Sequence, residues 1–294
     1  MKNKIIYALG FFDGVHLGHQ ALLAECCRLA KEQGALPAVV SFDTSPSAVL
    51  QGNSPRMINT NADRIRLLEQ FGIKNVFLYK TNRETLAMPW HAFLAQLLET
   101  GAVGFVCGSD YRFGRDGEGC AQILQQFCRE KNLPCVIVPE QQMDGEKISS
   151  SRIRALLEQG DVIQANRLLG HPHVLTGPVV SGQQLGRTIG IPTANLLLPQ
   201  ELLIPRFGVY ACKATVEDAV YMAVTNIGTR PTVAGTGITV EAFLLDFDKD
   251  LYGKQLQLEF YQFLRPEKRF SSLAELKAEI LENVRQTRKI FEKT

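Results

Sequence analysis

Short apolar runs alternate with longer amphipathic stretches from the N-terminus to about residue 170. The apolar runs are Ile5–Leu9, Ala38–Phe42, Asn75–Tyr79, Gly104–Cys107 and Cys135–Val138. The helical stretches between them are Gln20–Gln33, Ala62–Phe71, Trp90–Thr100 and Gln122–Lys131. Continuous apolar strands that alternate with helices are typical of a parallel sheet covered on both faces. The pattern therefore predicts an α/β domain.

Two shorter helical segments follow. After them, the sequence pattern changes from alternating strands and helices to strands alone. Ser149–Ser151 can provide an N-cap for the first helix, and Gly160 ends it. The second helix ends at Gly170, before His171 and Pro172. Because proline after a glycine interrupts regular structure, we place the domain boundary there. The predicted domains are residues 1–170 and 171–294.

The second half is rich in branched and aromatic residues separated by glycine and proline turns. Its predicted strands are Val174–Val180, Gly208–Val216, Ala219–Asn226, Ile238–Phe247 and Gln255–Leu264. No helical pattern lies between these strands. Such a succession of strands predicts an antiparallel barrel or sandwich.

The C-terminal tail has a helical pattern with a start signal. Ser272 and Glu275 have the spacing of a capping box. The apolar positions after it share one helical face: Leu273, Leu276, Ile280 and Val284. We expect this helix to pack on the predicted barrel, and a partner-binding helix is the alternative.

Composition narrows the classes of protein that remain. Of 294 residues, 45% are hydrophobic and 21% are charged, and the net charge is only +2. Without a long basic block, nucleic acid is not expected as a partner. Seven cysteines without metal-type spacing indicate free thiols in a reducing cytoplasm. No segment approaches the roughly 20 apolar residues that a membrane helix needs, so no membrane partner is expected.

The stretch Gly10–His19 reads GFFDGVHLGH and joins the first predicted strand to the first predicted helix. A helix N-terminus favours an anion through its free N–H groups and its dipole. His16 and His19 can both face such an anion, which predicts a phosphate site. The other candidate phosphate-binding residues are Gly10, Phe12, Asp13 and Gly18. The alternative is that each histidine is a helix cap or a surface residue.

A second glycine-bearing stretch, Gly177–Leu196, reads GPVVSGQQLGRTIGIPTANL. Its glycines and one arginine predict a loop that wraps phosphates through backbone N–H groups: Gly182, Gly186, Arg187 and Gly190. Thr193 and Asn195 alternate onto one face and can offer oxygens to a Mg²⁺ that carries ATP phosphates. The alternative is that these two residues only shape a turn.

Glu241 interrupts an apolar run between Val240 and Ala242. A carboxylate in such a run is costly to bury unless it is paired or functional. The alternative is an exposed position on the wet face of a barrel. Two later carboxylates, Asp246 and Asp248, are interpreted as turn residues.

With both sites located, the sequence resembles the bacterial bifunctional riboflavin kinase/FAD synthetase family. In the first half, the matching motifs are FDGVHLGH at 12–19, GSDYRFG at 108–114 and ISSSRIR at 148–154. In the second half, they are GRTIGIPTANL at 186–196, GVYA at 208–211, NIGTRPT at 226–232, VEAFLLDF at 240–247, DLYG at 250–253 and FLRPEKRF at 263–270. The resemblance covers nearly the whole chain and keeps the order of the motifs.

The resemblance implies a fold and an activity for each half. The first domain is expected to be a Rossmann-like nucleotidyltransferase of the HxGH class that joins AMP from ATP to FMN. The second is expected to be a six-stranded antiparallel riboflavin kinase barrel with a C-terminal helix. Riboflavin, FMN, FAD and ATP are the implied small-molecule partners, and Mg²⁺ is the implied cofactor.

The resemblance also implies roles for individual residues of the adenylyltransferase half. His16 and His19 are expected to contact the ATP phosphates. Asp110 is expected in the nucleotide or flavin pocket. Ser151 and Arg154 are expected to close over the triphosphate.

For the kinase half, the resemblance implies that Thr193 and Asn195 hold Mg-ATP and that Glu241 is the general base. Arg265 lies in the segment that resembles the flap covering the flavin in this family.

Three residues depart from the family pattern. Phe11 stands beside the histidine motif where a small or polar residue is usual, and Ser45 replaces a histidine. Phe243 replaces a histidine two residues after Glu241. The first two departures leave open a kinase whose adenylyltransferase domain is weakened or inactive. A protein that binds flavin nucleotides and regulates without turnover is the further alternative.

Overall fold

The chain folds into two units, Met1–Ser150 and Ser151–Thr294. The computed structural model describes residues 3–51, 55–182, 186, 189–232 and 235–292. Within the described residues, no helix is both long enough and apolar enough to cross a membrane.

A parallel five-stranded sheet forms the centre of the first unit. Its strands are β1 Ile5–Leu9, β2 Leu36–Phe42, β3 Asn75–Tyr79, β4 Ala102–Gly108 and β7 Cys135–Val138. Its helices are α1 Leu17–Gln33, α2 Pro46–Gln51, α3 Asn61–Gln70, α4 Arg83–Leu86, α5 Trp90–Glu99 and α6 Ala121–Glu130. The strand order is β3-β2-β1-β4-β7, and every neighbouring pair is parallel. The predicted α/β architecture is confirmed.

Alternate residues of β1 pack into two separate apolar clusters. Tyr7 and Leu9 lie in a cluster with Phe93 of α5. Ile6 and Ala8 lie in the other cluster, together with residues of α1 and α3. Because both faces of β1 are covered, all five of its residues are buried, as its continuous apolar run predicts.

The direction in which successive strands are added to the sheet changes beside β1. The chain passes from β1 to β2 and β3 on one side, and β4 and β7 lie on the other side. Such a switch point opens a crevice at the carboxyl ends of the two central strands, where ligands bind in open α/β sheets. The turn Gly10–His16 leaves β1 at this edge, and Ser109 and Asp110 leave β4 beside it.

Two small hairpins of the first unit were not predicted. One pairs β5 Arg112–Phe113 with β6 Gly119–Cys120 across a short 3₁₀ turn at Arg115–Gly117. The other pairs β8 Gln142–Met143 with β9 Glu146–Lys147. Strands of two residues are too short to leave a periodic pattern in a sequence.

A closed six-stranded barrel forms the second unit, with the strand order β10-β11-β14-β13-β12-β15. The strands are β10 His173–Val180, β11 Ala194–Leu196, β12 Gly208–Val216, β13 Ala219–Thr232, β14 Gly235–Leu244 and β15 Gln255–Arg265. The helices are α7 Ser150–Gln159, which begins at the last residue of the first unit, α8 Val162–Leu169 and α9 Leu273–Phe291. All strand pairs are antiparallel, so the predicted barrel is confirmed and the sandwich is excluded.

Each strand of the barrel alternates between the interior and the outer face. Ala194, Thr225 and Ala242 are buried inside and are register partners on β11, β13 and β14. Their neighbours Asn195 and Glu241 therefore point to the outer face, because successive strand residues alternate.

Helix α8 is tied to the barrel. The Asn166 side chain donates to the Phe260 carbonyl at 2.8 Å and accepts from the His173 backbone N–H at 2.8 Å. These contacts group α8 with the second unit, whereas the change in sequence pattern places the boundary at residue 170. That boundary stays a prediction.

The C-terminal helix starts as predicted and turns most of its predicted apolar face to the barrel, through Leu276, Ile280 and Val284. Ser272 is the N-cap and accepts from the Glu275 N–H at 3.2 Å. Leu273, expected on the apolar face, is 52% exposed, whereas Asn283 and Thr287 are buried. Val284 packs against the cluster on the outer face of the barrel. The buried face therefore includes two polar residues that hydrophobic periodicity passes over.

Candidate active sites

The turn after β1 has an unusual backbone. Phe12 has φ 57° and Val15 has φ 39°, in the region that favours glycine, and Gly14 has φ 84°. The ring of Phe12 is fully buried, and a Cβ at Gly10 would come within 3.0 Å of it. Left-handed backbone at bulky residues costs energy and is frequent at functional sites. The turn is therefore held in one shape by its own packing.

This turn brings the two histidines together, as their spacing predicts. His16 caps α1, and its Nδ1 accepts from the His19 backbone N–H at 3.3 Å. The two rings stack with centroids 3.6 Å apart and planes 14° from parallel. A Cβ at Gly18 would lie 3.1 Å from the His16 ring, so only glycine leaves this stack undisturbed.

His19 offers a buried nitrogen that nothing in the described part of the chain satisfies. Its Nδ1 is shielded from solvent and has no hydrogen-bond partner among the described residues. Burial lowers the pKa of His19 well below its ordinary value, and the charges of His16 and Arg64 lower it further. The imidazole is therefore neutral at pH 7 and free to bond with a ligand.

Asp13, expected among the phosphate-binding residues, faces the protein. Its carboxylate is buried and accepts from the backbone N–H groups of Ile58 at 3.0 Å and Asn59 at 3.4 Å. The Asp13 carbonyl in turn accepts from the Ser150 hydroxyl at 2.8 Å. These bonds tie the histidine turn to the loop before α3, and contact of Asp13 with phosphate stays a prediction.

A buried arginine of α3, which the sequence pattern does not reveal, also reaches this turn. Arg64 Nη1 donates to the Phe11 carbonyl at 2.8 Å, and the guanidinium lies 5.0 Å from the centroid of the Phe11 ring. Phe11, a departure from the family pattern, therefore contributes a face on which the arginine stacks. In sequence, Arg64 looks like any charged residue of an amphipathic helix.

Asp110 lies at the same edge of the sheet as the histidine turn, where it follows β4. Its side chain is 62% exposed and forms an ion pair with Lys147 Nζ at 2.6 Å. Lys147 also contacts Glu140 Oε1 at 2.6 Å, and both carboxylates raise the pKa of the lysine. Asp110 is thus accessible but already paired.

Ser151 and Arg154 belong to α7, in the second unit. Ser151 is exposed and Arg154 is partly buried. Their closure over the triphosphate stays a prediction.

The second site is a row of polar side chains across three strands of the barrel. Asn195 on β11 lies opposite Glu241 on β14, and Glu241 lies opposite Asn226 on β13. Residues opposite each other in antiparallel strands project to the same face, with Cβ atoms about 5 Å apart. Glu241 is therefore flanked by two amides. Asn226 was missed because only strand register links it to Glu241.

Glu241 opens into a cavity of about 300 Å³ on the outer face of the barrel. The cavity is covered by α9 and is lined by residues that include Thr193, Asn226, Phe243, Arg265, Leu276 and Ile280. Glu241 is therefore neither sealed inside the barrel nor on an open wet face. Phe243, the third departure from the family pattern, forms part of the cavity wall.

A larger cavity of about 490 Å³ adjoins the row at Asn195. Thr193 lines both cavities, and Gly182 lines the larger one. A Cβ at Gly182 would come within 2.7 Å of the Asn195 Cγ, so the glycine leaves room for that amide. Thr193 and Asn195 are brought together where the two cavities meet, as their alternation predicts.

The remaining loop residues differ in how far the structure describes them. Gly186 lines the smaller cavity. Gly190 has φ 76°, and a Cβ there would meet no atom within 4 Å. Arg187 lies outside the described residues.

Arg265 is anchored to α9 at the edge of the smaller cavity. Its Nε donates to Asn283 Oδ1 at 3.1 Å and lies 3.2 Å from Glu279 Oε1. Its guanidinium also lies 5.6 Å from the centroid of the Phe270 ring. Burial lowers the pKa of Arg265, and Glu279 acts in the opposite direction.

Two family models match the chain and divide it between them. The FAD synthetase model matches residues 1–152, and the riboflavin kinase model matches residues 169–291. The first match contains the histidine turn, and the second contains the row around Glu241.

Similar proteins match over nearly the full length. A bifunctional riboflavin kinase/FMN adenylyltransferase from Listeria monocytogenes is 34% identical, with 99% of this chain and 93% of that protein covered. A protein of the same name from Bacillus subtilis is 35% identical with the same coverage. A crystal structure titled as a macrolide-efflux protein from Streptococcus pneumoniae superposes with a TM-score of 0.88 at 30% identity, covering 98% of this chain and 97% of that one. The chain therefore belongs to the family of bifunctional riboflavin kinase/FMN adenylyltransferases.

Proposed function

We propose that this chain phosphorylates riboflavin to FMN with ATP and then transfers AMP from a second ATP to FMN, releasing pyrophosphate and forming FAD. The observation that carries the proposal is the contrast between its two sites. One is a pair of stacked histidines at a helix N-terminus, and the other is a carboxylate flanked by amides in a cavity. Each arrangement suits one of the two reactions.

Phosphorylation of riboflavin requires a base. The attacking group is a ribityl alcohol, which is a poor nucleophile at neutral pH, and a positioned carboxylate can accept its proton. Glu241 fills this role because it lines a cavity with Arg265 and Phe243 that can receive the flavin. Asn195 and Asn226, its register partners, orient the carboxylate.

Adenylylation of FMN requires no base. The attacking phosphate of FMN is already anionic, so the site has only to stabilise charge on the α-phosphate and on the leaving pyrophosphate. The N–H groups at the start of α1 supply donors, and the neutral imidazole of His19 supplies a further polar contact. Asp110 is the further residue of the first unit proposed for this site, and the roles that the family resemblance implies for Ser151 and Arg154 stay predictions.

The residues at the junction of the two barrel cavities fit a hard cation such as Mg²⁺. Thr193 and Asn195 offer hydroxyl and amide oxygens, which Mg²⁺ accepts, and Glu241 is the register partner of Asn195. Among the described residues, no group of three or more His, Cys, Asp or Glu side chains is placed to hold a metal ion. The ion would therefore arrive with ATP, with the phosphates as its main ligands, and would neutralise their charge.

The test is a flavin chromatogram. The purified chain is incubated with ATP and Mg²⁺ and either riboflavin or FMN, and the flavins are separated. We expect riboflavin to give FMN and then FAD, and FMN to give FAD directly. FMN that accumulates without FAD would identify a kinase with an inactive first domain. Unchanged riboflavin together with unchanged FMN would refute the proposal.

A further inference from the structure

Arg64 is a buried cation whose hydrogen bonds go to neutral groups. Its side chain is fully shielded from solvent, and among the described residues it forms no ion pair. Its bonds go to neutral oxygens: the carbonyls of Phe11 and Phe42 and the side chain of Asn61. Burial lowers the pKa of Arg64 to about 10, against the opposing effect of Asp13 and Asp43. The guanidinium therefore remains charged at pH 7.

The stability of the fold does not by itself explain why this charged side chain is buried. Burying an ion is costly, and an apolar side chain of similar size would pack α3 onto the sheet without that cost. Three neutral acceptors compensate only in part, and Nε has no partner among the described residues. The charge is therefore best explained by what it does at the adjacent turn.

The bonds of Arg64 connect two strand ends of the nucleotide crevice. Phe42 ends β2, and Phe11 lies in the turn that follows β1. The Phe11 carbonyl accepts from Arg64 at 2.8 Å and from the Ser41 hydroxyl at 2.8 Å. The guanidinium also stacks on the Phe11 ring. The backbone just before the histidines is thus held from two directions.

Unsatisfied polar groups at the same turn indicate a polar ligand. The Asn59 side chain is only 1% exposed, and neither of its amide atoms has a hydrogen-bond partner among the described residues. Its backbone N–H contacts Asp13 in the turn. His19 Nδ1 is unsatisfied in the same way. Buried polar atoms without partners are rare in folded proteins and call for a ligand or water.

We propose that Arg64 is a positioning residue for adenylyl transfer: its buried charge holds the histidine turn through the Phe11 carbonyl and favours the ATP triphosphate there. This inference rests on the proposed adenylyltransferase function of the first unit. Arg64 acts through the turn, and no contact of its own with ATP is required.

The charge of Arg64 also has a consequence for the pH profile. The pKa of His19 is coupled to His16, the N-cap of α1, and to the positive charge of Arg64 on α3, and Arg64 in turn experiences Asp13 in the turn and Asp43 after β2. Removing the Arg64 charge removes one of the causes that lower the pKa of His19, so that pKa rises. The pH below which FAD synthesis is lost, the acid limb of its pH profile, should therefore move to a higher value.

The test uses three variants of the full chain. Arg64→Met removes the charge at similar length, and Arg64→Lys keeps the charge but loses the fork that bonds two carbonyls. Arg66→Met is the matched control, because Arg66 lies on the same helix with a side chain 44% exposed, where it pairs with Asp63. Thermal unfolding followed by circular dichroism reports whether the first unit of each variant has folded, and riboflavin kinase activity reports the fold of the second unit.

We expect Arg64→Met to raise the KM for ATP in FAD synthesis at least tenfold and to shift the acid limb upward. Arg64→Lys should recover most of the ATP affinity but not kcat, and Arg66→Met should match the wild type. A normal KM and an unshifted limb in Arg64→Met would overturn the proposal. Equal losses of FAD synthesis in both Arg64 variants without a pH shift would show that the residue contributes only to packing. If Arg64→Met does not fold, a wild-type kcat in Arg64→Lys would overturn the positioning role.

A binding measurement separates this inference from the proposed function. Titration with a non-hydrolysable ATP analogue should find two sites in the wild type and only the kinase site in Arg64→Met. This result would support the role of Arg64 even if the wild type produced no FAD, an outcome that would refute only the proposed reaction. Two unchanged sites in Arg64→Met would refute the inference.

Discussion

Single residues explain why the two sites use different groups for the same cosubstrate. His19 is neutral because burial and neighbouring positive charges lower its pKa. Glu241 lies between the register partners Asn195 and Asn226, which can orient a carboxylate without neutralising it. An imidazole pair suits phosphate binding, and a carboxylate suits removal of a proton from an alcohol.

Replacing Glu241 with glutamine should abolish FMN formation and spare FAD formation from FMN. Loss of a general base typically costs about 10²–10⁴-fold in rate, and the amide keeps the shape of the side chain. The measurement compares kcat for riboflavin phosphorylation with kcat for FMN adenylylation in the same preparation. Equal losses of both activities would contradict the assignment of Glu241 to the kinase.

Replacing His19 with alanine should have the opposite effect. The change removes the buried imidazole from the turn before α1 and leaves the barrel untouched. We expect adenylylation of FMN to fall by about 10²-fold or more, in line with the loss of one stabilising donor, while phosphorylation of riboflavin keeps its rate. Unimpaired FAD synthesis would remove His19 from the proposed site.

His173 should make the barrel sensitive to acid. The residue is fully buried beside Phe260, neither ring nitrogen has a partner among the described residues, and burial lowers its pKa to about 3. Because the unfolded chain takes up the proton near pH 6.5, stability is complete above that pH and falls as the pH drops toward 3. Between pH 7 and pH 5.5 the loss from this residue is about 1.3 kcal/mol.

The pH effect is measured by urea unfolding at both pH values, with kinase activity as the reading for the barrel. The variant His173→Leu should lack this share of the pH dependence, since leucine has no titrating group. A variant with the same acid sensitivity as the wild type would show that other residues cause it.

At the scale of elements, α9 does more than close the barrel. Its polar residues Glu279 and Asn283 hold Arg265 at the edge of the smaller barrel cavity. Leu276 and Ile280 of the same helix line that cavity. The helix therefore supplies part of the wall of the proposed kinase site and the side chains that hold Arg265 there.

Replacing Asn283 with alanine should weaken riboflavin binding. The Arg265 Nε loses its amide acceptor, and Glu279 alone does not fix the fork of the guanidinium. We expect the KM for riboflavin to rise about fivefold to tenfold, since the lost hydrogen bond involves a charged group. FMN adenylylation should be unchanged.

The matched control for this change is Arg288→Ala on the same helix, which removes an exposed ion pair to Asp246 after β14. Exposed pairs contribute about 1 kcal/mol or less, so this variant should keep its KM for riboflavin. A similar rise of KM in both variants would indicate general loosening of α9.

The elements also show where hydrophobic patterns stop being informative. The five strands of the parallel sheet are continuous apolar runs of four to seven residues and were predicted within a few residues. The three-residue strand β11 carries Asn195 but was not among the strands predicted from the pattern, and only the family resemblance implied a sixth strand. Leu273 was expected on the buried face of α9 but is exposed, whereas Asn283, which hydrophobic periodicity passes over, is buried.

On the scale of the whole molecule, the two sites should work independently. The histidine turn lies in one compact unit and the row around Glu241 in the other, and the product of the kinase is the substrate of the adenylyltransferase. A mixture of the Glu241→Gln and His19→Ala proteins should therefore convert riboflavin to FAD, although neither variant does so alone. FMN released by one protein reaches the other by diffusion. No FAD from the mixture would mean that FMN does not leave the protein that makes it.

The sequence by itself determined the order of the two domains, the class of each fold and the motifs that carry the chemistry. These features are local, because apolar periodicity, glycine turns and the spacing of His16 and His19 act within a few residues along the chain. The family resemblance extended them to two activities.

Only the tertiary structure decided which distant residues meet at these motifs. Arg64 reaches Phe11 across 53 positions in the chain, and Asn226 meets Glu241 through strand register. In both cases the residue looks ordinary in the sequence, because its burial and its partners are set by packing between elements. The protonation state, burial and register of a residue are properties of the folded chain. For that reason they had to be read from the structure.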